Sequence, residues 1–196
     1  MPNLLPLLLF VAAATFSPGG ATALATASGA RFGLARSLPL ILGIAAALWL
    51  LAALAGLGLG ELVGQRPALQ WALKLVGSLY LLWLAWLIAR SGAPASGAAV
   101  ARPLGLGKAM LLLLANPKSW AMTVSAAAAF SPLASSPYHL ALLLGAAFAL
   151  AACVSLGLWC ALGVLLARRL RSAWQWRLFN GLMAALLVVS IIPMWR

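Results

Sequence analysis

From its first residue to Ala30 the chain carries no charged side chain, and none lies between Arg36 and Glu61 or between Arg177 and Arg196. From Ser119 to Ala167 the run is broken only by His139. A helix needs about 20 mostly apolar residues to cross a bilayer, so stretches of this kind, repeated along one chain, describe a multi-pass membrane protein. Composition agrees: 65% of the residues are hydrophobic, only 7% are charged, and the mean hydropathy is +1.09. A soluble domain could not cover its surface with so little charge. In hydrocarbon every backbone N–H and C=O must be satisfied internally, and these run lengths suit helices rather than barrel strands. The fold class is therefore an all-α membrane protein in contact with the lipid bilayer.

Six spans are expected: about Leu4 to Ser28, Arg36 to Glu61, Pro67 to Ala89, Ala109 to Phe130, Tyr138 to Ala167 and Leu178 to Trp195. Lys74 lies close enough to the start of the third to snorkel outward. Trp71, Trp83, Trp86, Trp174, Trp176 and Trp195 fall near span ends, as an interfacial belt requires. Basic residues set the direction. Arg31 and Arg36 separate spans one and two; Arg90, Arg102 and Lys108 separate three and four; Arg168, Arg169, Arg171 and Arg177 separate five and six. The other side keeps Arg66, Lys74 and Arg196, so the positive-inside rule puts the three basic connections in the cytoplasm and both termini outside. The net charge of +12 is thus topological, and with no basic face interleaved with aromatics it does not describe nucleic-acid binding. The N-terminal run lacks the basic region of a signal peptide and reads as the first span. Cys153 and Cys160, seven apart on one helix, lie about 10 Å apart along its axis, too far for a disulfide.

Residues 91–107, within "RSGAPASGAAVARPLG", read as a linker between two three-helix halves, 1–90 and 108–196. With three spans each, related halves must be inverted, and "LPLILGIAAAL" from Leu38 echoes "LALLLGAAFAL" from Leu140. Each half also opens on a helix broken near its middle, by "TFSPGG" in the first and "ANPKS" in the second. Pro18, Gly19 and Gly20 on one side and Asn116 and Pro117 on the other are matched interruptions, the usual mark of a transporter's midplane site. Lys118 sits ten residues beyond Lys108, about 15 Å at helical rise, where a charge costs about 3 kcal/mol on insertion scales. Snorkelling from there exceeds a lysine's reach.

Over essentially its whole length the chain resembles the LysE/RhtB family of amino-acid exporters. The resemblance rests on "SPGG" at 17–20, where the family usually has Pro-Gly-Pro, on "LKLVGSLYLLWLAW" at 73–86, and on "NPKSW" at 116–120 after "GLGKAMLLLL". It implies a bacterial inner-membrane secondary exporter of amino acids or close derivatives, driven by the proton-motive force, with no enzymatic activity and no cofactor or metal. Two departures bear on substrate. The first break is followed by Gly20-Ala21-Thr22 rather than a polar or acidic residue, and the chain has one carboxylate, Glu61. A lysine or arginine exporter would present a buried acid to the side chain, so a neutral amino acid is expected. Glu61 and His139 are the obvious proton carriers, with His139 at the outer end of span five.

The expected substrate site follows. Lys118, with N–H groups freed around Pro117 and around Pro18-Gly19-Gly20, would bind the carboxylate, a charge-assisted bond strengthened by desolvation. Thr15, Thr22, Asn116 and main-chain carbonyls would receive the amino group. Tyr80, halfway along span three, is either a cavity wall or a packed aromatic. Gly56, Gly60 and Gly64, four apart on one face, suit close helix packing within the chain or in a homodimer. Three other readings compete. A thiol–electron carrier needs cysteines from both halves, an ion or metal exporter needs clustered ligands, and an accessory protein would use Lys118 to bind a partner helix.

Overall fold

The computed structural model describes residues 4–58, 67–90 and 103–192. Among them are seven α-helices, one short 3-10 turn at Ser131–Leu133, and no strand. The helices are α1 (Leu5–Phe16), α2 (Gly20–Gly56), α3 (Pro67–Ala89), α4 (Leu106–Leu114), α5 (Pro117–Phe130), α6 (Pro137–Arg169) and α7 (Ala173–Val189). By length and hydropathy α2 and α6 are each capable of crossing a membrane. Large apolar side chains such as Leu8, Leu42, Leu79, Leu142, Leu150 and Leu182 face outward, the lipid-compatible surface expected of a bundle with an apolar core.

Helix α2 is not one straight rod. Gly33 has φ 79° and ψ 172°, a backbone conformation open to glycine and costly for other residues. Across it, Ser28 Oγ and Ser37 Oγ share a hydrogen bond of 2.7 Å, although nine residues of straight helix would separate them by about 13.5 Å. The chain therefore folds back at Gly33, and Ser37 Oγ holds the fold by donating to the Gly33 carbonyl at 2.8 Å. This corrects the expected first boundary. Span one does not stop at Ser28, and the basic connection bearing Arg31 and Arg36 is helical on both sides of a single glycine. The physical reason is local: Ser28 and Ser37 satisfy each other, so no polar loop is needed.

The largest interface joins α2 to α6, with α6 lying along both arms. Glycines make the approach possible. A Cβ at Gly29 would collide with the Cys160 carbonyl, one at Gly163 with the Thr26 carbonyl, and one at Gly56 would stand 2.7 Å from Ala141 Cα. The Trp49 ring lies on Gly145, with Nε1 2.9 Å from where a Cβ would be. Around this pair α4 packs on α2, α1 packs on α6, and α3 packs on α7. Phe148, Leu144, Leu113 and Leu187 fill the centre. The start of α6 is fixed by Ser136, whose Oγ accepts from His139 N, and its last turn carries Arg168 and Arg169, charges that favour a helix C-terminus. Residues 91–102 of the expected linker lie outside the described residues, as do Glu61, Gly60 and Gly64, while Leu106 already belongs to α4.

Candidate functional site

Each interrupted helix leaves backbone groups that a continuous helix would pair, and the two interruptions solve this in parallel ways. At the first, Pro18 has no N–H for the Ala14 carbonyl; the Ser17 hydroxyl donates to it instead, at 2.9 Å. The N–H of Gly19 would continue the helix by bonding Thr15 O, but it turns to Thr22 Oγ1 at 2.8 Å. Thr15 O is taken by Ser155 Oγ of α6, 2.8 Å away and fully buried. At the second, Lys118 N–H leaves the Leu114 carbonyl for Asn116 Oδ1 at 3.0 Å, the N-cap of α5. Leu114 O accepts from the Trp120 indole at 2.8 Å. The interruptions are thus stable features with replacement donors, rather than frayed helix.

They face one another. Lys118 Nζ donates to Ser17 Oγ at 2.9 Å across 101 residues of sequence, and a Cβ on Gly19 would lie 3.2 Å from the same nitrogen. The ammonium therefore sits against bare main chain at the start of α2. Around it is a cavity of about 40 Å³, enough for a few water molecules. Its polar side comprises Thr15, Ser17, Gly19, Gly20, Thr22, Asn116, Lys118 and Ser119; Ile44, Leu48, Met122 and Leu156 form an apolar wall. Two helix N-termini, those of α2 and α5, open onto it, each leaving first-turn N–H groups without an intrahelical acceptor. Positive charge and positive dipole ends converge on one small volume. Such a place favours an anionic group.

The family model for the LysE type translocator matches residues 12–190, a stretch that contains both interruptions and every residue named around the cavity. The chain belongs to this family. LysE type translocators are membrane transporters rather than enzymes. A curated protein of Vibrio cholerae, described as an uncharacterized membrane protein, is 33% identical over 109 residues, covering 54% of this chain and 53% of its own length. The chain thus aligns with about half the length of that relative. No solved structure matches.

In this LysE type translocator the sequence-selected residues separate into groups. Thr15, Gly19, Gly20, Thr22, Asn116 and Lys118 all line the one cavity. Pro18 turns its side chain outward. Pro117 and Tyr80 lie on α5 and α3, with side chains outside those described. The Thr22 hydroxyl both accepts from Gly19 N and donates to Gly19 O at 2.9 Å, and Thr15 Oγ1 donates to Val11 O at 2.8 Å. Both hydroxyls already shape the backbone. His139 is exposed at the start of α6 and does not line the cavity. Sequence reasoning missed Ser17, Ser155 and Trp120. Counting the carbonyls that each proline or glycine interruption frees, and asking which nearby donors could reach them, would have pointed to Ser17 and Trp120.

Proposed function

We propose that this translocator is a secondary transporter that exports a neutral amino acid or close derivative from the bacterial cytoplasm, driven by the proton-motive force, with both termini on the periplasmic side. The observation that carries the reading is the Lys118 ammonium, held at the meeting point of two interrupted helices and beside two helix N-termini. A substrate carboxylate would bind there, replacing Ser17 as the acceptor. The C-terminal ends of α1 and α4 approach the same cavity through Thr15 and Leu113, and their negative dipole ends suit the substrate's ammonium. Ile44, Leu48, Met122 and Leu156 offer the side chain an apolar wall. The sole acidic residue of the chain, Glu61, lies by sequence near the outer end of the second span, away from both interruptions in the chain, which supports a neutral side chain over a basic one.

Two inverted three-helix halves are supported by the packing pattern. The contact of α4 with the second arm of α2 is matched by that of α1 with α6, while α2 pairs with α6 and α3 with α7. Alternating access would rock one half against the other around Lys118.

The test is efflux from cells preloaded with mixed dipeptides, comparing wild type, Lys118→Ala and empty vector, with mass spectrometry of every released amino acid. Wild type is expected to release one or a few neutral amino acids faster than vector. Loss of a charge-assisted bond of about 1.5–3 kcal/mol should weaken apparent affinity roughly 10- to 100-fold in Lys118→Ala. Equal release by Lys118→Ala and wild type would remove the binding site, and no difference from vector for any amino acid would remove the transport assignment.

A further inference from the structure

We propose that the Ser17 hydroxyl is a stand-in for the substrate carboxylate, and that it lets the empty carrier pass through its occluded state. This rests on the export reading above and extends it to the half of the cycle in which nothing is bound.

Among the described residues Ser17 Oγ is the one side-chain acceptor on Lys118 Nζ, at 2.9 Å. The same hydroxyl donates its proton to Ala14 O at 2.9 Å, which leaves its lone pairs for the ammonium. Proline at 18 is what makes that second bond available, because it leaves Ala14 O without a helical donor. Ser17 is therefore oriented by the interruption itself to accept from the other half of the chain. Gly19 main chain lies against the same ammonium, so the two interruptions meet directly at this point.

An alternating carrier must cross a closed state twice in each round of net efflux, once loaded and once empty. While either side is open, water solvates Lys118. In the closed state water is mostly excluded, and a lysine without an acceptor is strongly disfavoured. Loaded, it has the substrate carboxylate. Empty, it has Ser17. A neutral hydroxyl suits the task, since it offers the ammonium only a dipole where a carboxylate offers a full opposite charge, which counts for more once water is excluded. The substrate can displace Ser17, whereas a protein carboxylate in its place would compete with the substrate on equal terms.

The consequence separates two transport modes. Net efflux needs the empty return; exchange of substrate for substrate uses only loaded crossings. Removing the hydroxyl should therefore slow net efflux selectively. Wild type, Ser17→Ala and Ser17→Thr are reconstituted in liposomes loaded with a deuterium-labelled mixture of the twenty amino acids. Release is followed by mass spectrometry into plain buffer (net efflux) and into the same mixture unlabelled (exchange). The ratio of net efflux to exchange should fall about tenfold or more in Ser17→Ala, the size of a lost hydrogen bond to a charged group, and recover in Ser17→Thr. General destabilisation lowers both rates together and leaves the ratio unmoved. A ratio in Ser17→Ala equal to that of wild type overturns the role of Ser17 while export stands. No release by wild type in either mode overturns the export reading and this inference with it.

Discussion

The packing of α2 on α6 makes a sharp forecast for three glycines that look alike in sequence. Gly29 faces α6 so closely that a Cβ would stand 2.8 Å from both the carbonyl carbon and Sγ of Cys160, and nearer still to the carbonyl oxygen. Ordinary contact begins at 3.4 Å, and the obstacle is backbone, which cannot rotate away. The helices must separate along the crossing, where Gly163 meets the Thr26 carbonyl and stands 3.0 Å from Ala30 N in the same sense. Overpacking of this kind costs about 1–3 kcal/mol, and rigid backbone on both sides places Gly29→Ala and Gly163→Ala near the upper figure. Gly157, on the same helix α6, has nothing within 4 Å of its would-be Cβ. There alanine should be neutral or stabilise by up to about 1 kcal/mol through helix propensity alone. The double variant Gly29→Ala/Gly163→Ala should lose less than the sum of the singles, because one separation relieves both clashes. Purified protein titrated with a denaturing detergent, followed by tryptophan fluorescence and far-ultraviolet circular dichroism, reads all four. If Gly157→Ala were as destabilised as Gly29→Ala, the close backbone approach would be refuted as the reason for glycine at 29.

Two further substitutions probe the interruptions. Trp120→Phe keeps the ring but removes the donor to Leu114 O, leaving a carbonyl that the helix cannot reclaim while Lys118 N is held by Asn116; stability should fall by about 1–3 kcal/mol in the same titration, and an unchanged midpoint would show that Leu114 O does not need the indole. Gly19→Ala should leave stability within about 1 kcal/mol, since φ is −179° and its obstacle is a flexible lysine end, yet raise the apparent KM for efflux roughly three- to tenfold by displacing the ammonium; an unchanged KM would mean that Lys118 need not sit against residue 19.

How much of this was legible in the sequence depended on whether the signal was local. Pro18 and Pro117 announce interruptions by removing a donor, and Lys118 announces itself as a charge in an uncharged run, so the cavity's two polar flanks were readable. Asn116 as an N-cap before proline is equally local. The fold-back of α2 was not readable. Gly33 is one glycine among 18, and the arginines on either side suggested a loop where Ser28 and Ser37 instead close a tight reversal. Ser17, beside the break, offered a local clue through the carbonyl freed by Pro18, but its second partner lies 101 residues away. Ser155 lies in the middle of an apolar run and acts 140 residues from its partner Thr15 O, so nothing near it in the chain hints at a role.

Those long-range bonds explain why the interruptions occur where they do. A helix broken in hydrocarbon is stable only if each freed carbonyl finds a donor, and here the donors are a serine within the break, a serine on α6 and an indole one turn onward. Once each freed carbonyl has its donor, the hydrogen bond of Lys118 Nζ among the described residues goes to the serine whose proton is already committed to Ala14. The same economy that makes the first break stable leaves the lysine with a partner weak enough to give up. A carboxylate brought to the same ammonium is the stronger acceptor, and Ser17 gives way to it.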